Sequence, residues 1–154
     1  MKRRPLDLRT LDDVRDEIIR LRDHGYTARG KWNLAQICAH VSETIRIGID
    51  GDEPRLPWIL RKIFGVVFKI VLRTRTMMSG APTVPRLTPP ELPTDDPAVI
   101  DRCLATLAEA RDFAGPLPPY PLMDGITLAK WKDLMVIHAQ HHLRFLEPQR
   151  SAQA

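Results

Sequence analysis

Proline placement constrains this chain more than any other feature. Ten of its 14 prolines fall in two windows, Pro82 to Pro97 and Pro116 to Pro121, where a fixed φ and a missing amide forbid a helix interior. Both windows are therefore loops. Around them apolar residues recur at spacings of three and four, and no run of alternating β-branched residues appears. The expectation is an all-α fold.

The local signals divide that fold into helices. Thr10 caps the first, with Asp12 and Asp13 facing the positive end of the dipole and Leu11, Val14, Ile18 and Leu21 inward, and it ends near Gly25. A second runs from Asn33 to Ile49 with Leu34, Ile37, Cys38, Val41, Ile45 and Gly48 on one side, and stops at Asp50-Gly51. Leu56 to Arg73 reads as a helix whose Arg61, Lys62, Lys69 and Arg73 share a narrow sector beside a wide apolar one. Pro97 to Phe113 is the next, with Pro97 suited to a first turn. The last runs from the cap Thr127 to about Leu146. Four longer helices and one in the connection from Gly51 to Thr94 predict a four-helix bundle with a long crossover carrying an extra helix, as one domain over residues 1–154.

Composition bounds the function class. Apolar residues at 44% and charged residues at 27% of 154 are those of a globular domain. Cys38 and Cys103 are too few for a disulfide framework or a thiolate metal cluster, and read as core thiols in a reducing compartment. Leu6 to Val14 is interrupted by acids and supplies no secretory apolar region, which favours a cytoplasmic location. Leu56 to Leu72 carries Arg61, Lys62 and Lys69 and is too short to span a bilayer. Between Pro54 and Pro90 there is no Asp or Glu but seven cations, so the net charge of +4 belongs to that segment. An anionic partner should meet it there. Nucleic acid is disfavoured, because few aromatics interleave with the basic residues and no recognition motif is present.

The chemistry-bearing residues lie on the last helix. Leu128, Trp131, Met135, His138, His142 and Phe145 follow alternating spacings of three and four, the inward stripe of a bundle helix. His138 and His142, one turn apart, place two imidazoles on one face within reach of a single metal ion. His141 lies off that stripe, as a flanking group and the nearest candidate for a general base. A third ligand must come from another helix. His40 is the only histidine within the second, on the flank of its apolar face near Thr44 and Ile47. His24, beside Gly25, reads as a helix C-terminal or surface group, and Trp32, Trp131 and Met135 as core filling.

Two segments carry a family resemblance: Gly30-Lys-Trp-Asn-Leu-Ala-Gln-Ile-Cys-Ala-His40, and Gly125-Ile-Thr-Leu-Ala-Lys-Trp131 continuing to His138-Ala-Gln-His-His142-Leu-Arg-Phe145. They resemble the DinB-like (YfiT-like) metalloenzymes, and in particular a branch labelled as a domain of unknown function. Lys130 departs from that branch, which usually has an acidic residue there. The resemblance implies a bundle that is often dimeric and a divalent metal held by His40, His138 and His142, Zn²⁺ first among Ni, Fe, Mn and Co. Relatives include transferases and isomerases that use low-molecular-weight thiols, so thiol transfer or hydrolysis on a small, anionic substrate is the expected activity. The alternative is a non-catalytic bundle binding a partner or a membrane surface through the basic helix 56–73, although packing of that helix against the bundle is the simpler expectation.

Overall fold

The structure, a computed structural model, describes residues 3–80 and 84–150. Pro82 and the two ends of the 154-residue chain lie outside the described residues. The elements are α1 (Leu11–His24), β1 (Tyr26–Ala28), α2 (Leu34–Asp50), α3 (Trp58–Thr74), a single 3₁₀ turn (Pro85–Leu87), α4 (Pro97–Asp112), α5 (Leu128–Leu143) and β2 (Leu146–Pro148). The all-α expectation is met by five α-helices among the described residues. Four of them, α1, α2, α4 and α5, pack into a bundle, and α3 sits in the crossover against α5.

Helix starts follow the local chemistry. Thr10 Oγ1 accepts from the amide of Asp13 while the Asp13 carboxylate accepts from the amide of Thr10, and Asn33 and Gln36 form the same reciprocal box at α2. Asp96 caps α4 and Thr127 caps α5. α2 ends because Gly51 turns into the left-handed region, at φ 64° and ψ 26°. α3 starts at Trp58 rather than Leu56, since Pro57 occupies its cap position.

The last helix departs from expectation. It ends at Leu143, and Leu146–Pro148 instead pairs antiparallel with Tyr26–Ala28, Ala28 opposite Leu146 and Tyr26 opposite Pro148. This short ribbon joins the exit of α1 to the exit of α5. Hydrogen bonds extend it on both sides, Arg29 N to Phe145 O at 2.7 Å and Gln149 N to Gly25 O at 3.0 Å. Helical periodicity in the sequence cannot anticipate a competing strand partner more than a hundred residues away.

The core is continuous across the four bundle helices, with Ile18, Leu21, Leu34, Ile45, Ile100, Leu107, Trp131 and Ile137 among its most buried side chains. α2 and α5 approach so closely at Gly48 that a Cβ there would stand 2.3 Å from Trp131 Nε1. Only glycine permits that contact. The N-terminal segment crosses the outside of α5: Leu8 N donates to the buried Gln140 Oε1 at 2.6 Å, Arg144 donates to Leu6 O at 2.9 Å, and Arg4 pairs with Glu17.

Candidate metal centre

Three imidazoles converge where α2 and α5 face each other. His40 Nε2 lies 3.0 Å from His138 Nε2, and His142 Nε2 lies 3.2 Å from the same atom. One ligand atom from each histidine falls within 4.8 Å of the others. The pair on α5 is local in origin, set by one helical turn, whereas His40 arrives by the packing of a second helix.

His40 is held by the Pro-rich segment, which does more than connect α3 to α4. Its Nδ1 is 2.6 Å from the carbonyl oxygen of Leu87. A carbonyl can only accept, so Nδ1 carries the proton and Nε2 turns a bare lone pair toward the other two rings. The same segment is fastened to α2 by Asn33 Nδ2 to Leu92 O at 2.7 Å and Gln36 Nε2 to Pro90 O at 3.2 Å. A flank position on α2 thus becomes a buried one.

Hydrogen bonding within the trio cannot satisfy all three nitrogens. His40 Nε2 has no proton to give, and His138 Nε2, facing both neighbours, can direct at most one hydrogen to one of them. A shared cation resolves the conflict. Tetrahedral zinc with metal–nitrogen bonds of about 2.0–2.1 Å sets its ligand nitrogens roughly 3.3–3.4 Å apart, close to the two separations made by His138, with all three ligand atoms inside 4.8 Å. The donor set therefore fits a divalent ion, and three protein ligands leave coordination positions for other molecules.

Burial keeps the imidazoles neutral, as ligands must be. His138 is pushed down to about 3, by burial first and then by His40 and His141. His142 is lowered by burial and by His138, His40 and His141, and His40 by burial against the opposing effect of the Leu87 carbonyl. The trio is nevertheless not sealed. His40 is buried, but His138 and His142 are partly exposed, the two positions between Leu134 and Leu143 of α5 that are not buried.

A family model described as "Protein of unknown function (DUF1569)" matches residues 1–149. The chain belongs to the DUF1569 family. No curated protein and no solved structure matches it.

In this DUF1569 member further groups stand beside the trio. Trp32, expected as core filling, is partly exposed and lies against two of the rings, stacked on His142 with centroids 5.2 Å apart and tilted against His40 at 5.0 Å. His141 is outside the trio. It is more buried than His138 or His142, stands edge-on to His142 with centroids 5.0 Å apart, and is lowered by burial and by Arg3 and Arg144. Arg3 lies over the Phe145 ring, 5.3 Å from its centroid. His24 is exposed and its Nδ1 is engaged by Arg20 O at 3.1 Å, as expected of a helix end.

The basic segment is less available than its composition implies. Arg55 and Arg61 both bind Asp124, Arg75 binds Asp133 at 2.6 Å, and Arg86 is shared among Glu43, Asp52 and Glu53. The cations whose charge reaches His141 are Arg3 and Arg144, from the two ends of the chain. Sequence separation hid that pairing.

Proposed function

We propose that this protein is a metal-dependent enzyme related to the DinB-like group, in which His40, His138 and His142 hold a divalent ion, Zn²⁺ before Ni, Fe, Mn or Co. The observation that carries the reading is the mutual approach of three neutral imidazole Nε2 atoms that hydrogen bonds within the trio cannot all satisfy. A bound divalent ion supplies Lewis acidity, lowering the proton affinity of a water or thiol near neutral pH. Thiol transfer or hydrolysis on a small molecule both begin from that state.

The chain's own residues do the remaining work. Leu87 O fixes the tautomer of His40, and Trp32 shields one side of His40 and His142 from solvent. His141, neutral at pH 7 and one ring from His142, is assigned to accepting the proton released by the nucleophile. Arg3 and Arg144 place positive potential beside it and favour an anionic substrate, such as a carboxylate-bearing low-molecular-weight thiol. A homodimer in the cytoplasm completes the proposal; no helix among the described residues is long and apolar enough to cross a membrane.

Elemental analysis of protein prepared without chelator under metal-replete conditions tests the reading. About one ion per chain is expected, and none in a His138→Ala, His142→Ala double variant. Equal, near-zero metal in both would overturn it.

A further inference from the structure

Seven of the eight large apolar side chains exposed among the described residues lie on α3. Trp58 is 65% exposed, Ile59 54%, Ile63 54%, Val66 60% and Ile70 58%, while only Phe68 and Val71 of the whole helix are buried. At 3.6 residues per turn, Ile59, Ile63, Val66 and Ile70 fall within a sector of roughly 60°, along a helix about 25 Å long. Single exposed aliphatics are ordinary, but a continuous stripe of this kind marks a surface that binds something.

Charge indicates what that is. Lys62, Lys69 and Arg73 form an adjacent strip on the same outward half, all exposed and none within an ion pair among the described residues. No carboxylate occurs between Pro54 and Pro90. On α5, which packs against α3, Asp133 is taken by Arg75, and nearby Asp124 is taken by Arg55 and Arg61. A second copy docking through the same stripe would bring the same three cations and no acid from this segment to meet them. An anionic phospholipid surface matches both halves: phosphate and serine headgroups for the cations, and the acyl boundary for the aliphatic stripe, with an aromatic ring at the interface.

We propose that α3 lays its outward face on an anionic bilayer, docking the protein as a peripheral membrane protein. This inference does not depend on the histidine trio or on any bound metal.

Sedimentation of the full-length protein with phosphatidylcholine vesicles, with and without phosphatidylserine as a third of the lipid, tests it. Binding at least about tenfold stronger to the serine-containing vesicles is expected, and raising the salt should weaken it. Lys62→Gln, Lys69→Gln, Arg73→Gln should lose about a hundredfold in partition. Ile63→Gln, Ile70→Gln, with unchanged charge, should also detach the protein, and its thermal melt should match the parent because both positions are exposed. Absence of binding to either vesicle overturns the proposal. So does light scattering that shows a dimer which the Ile63→Gln, Ile70→Gln variant converts to monomer, since the stripe would then belong to a protein interface.

Discussion

α2 and α3 each run for 17 residues and each carries a wide apolar sector, yet α2 buries eleven residues and α3 buries two. α2 lies between α4, α5 and the Pro85–Leu87 turn, so even its polar flank is covered and His40 can be held there by a carbonyl. Among the described elements α3 packs mainly against α5. Amphipathicity states that a face prefers cover; the path of the remaining chain decides whether cover arrives. The difference also separates two kinds of site, one built by convergence of buried groups and one displayed by their absence.

The largest effect that would break this contrast concerns the ligands. His40→Ala should abolish metal retention as completely as loss of His138 and His142, read by elemental analysis, because α2 contributes its donor from a fixed and covered position. Retention of the ion in that variant would place α2 outside the centre.

Packing should separate the helices next. Ile45→Ala on α2 removes a fully buried side chain and should cost about 2–5 kcal/mol in denaturant unfolding. Ile63→Ala on α3, 54% exposed, should stay within about 0.5 kcal/mol. Equal costs would mean that α3 is covered in solution.

A pH series on metal-free protein sharpens the comparison from the side of the trio. The unfolded imidazole of His138 titrates near 6.5 and the folded one near 3. Between those values the unfolded chain binds more protons, so stability falls as pH falls from 6.5 toward 3. From His138 alone the loss by pH 5 should be about 2 kcal/mol, measured as a lower unfolding midpoint. A midpoint that is flat over this range would show that the trio is solvated in solution.

Two glycines give the smallest effects and opposite signs. Gly48→Ala drives a Cβ into the Trp131 indole and should destabilise by about 1–3 kcal/mol. Gly65→Ala meets nothing within 4 Å and should stabilise by about 0.5–1 kcal/mol through helix propensity. Thermal melts of the two variants would reveal any unrecognised neighbour over Gly65.

Much of the architecture was legible in single turns of sequence. The caps Thr10, Asn33 and Thr127, the stop at Gly51 and the placement of His138 and His142 on one face depend on residues within four positions of each other. The third histidine was visible only as a flank residue. Its burial depends on Leu87, Pro90 and Leu92, which lie roughly fifty positions downstream and carry no pattern that points to α2.

What the amino-acid order determined alone was therefore the set of helices, the caps at Thr10, Asn33 and Thr127, the stop at Gly51 and the paired imidazoles on α5. Only tertiary structure decided that His40 meets that pair, that Trp32 covers it, that Leu146–Pro148 leaves the helix for a strand, and that α3 faces outward. The physical reason is range: capping and one-turn spacing act between near neighbours, whereas burial and pairing depend on which distant segment of chain arrives alongside.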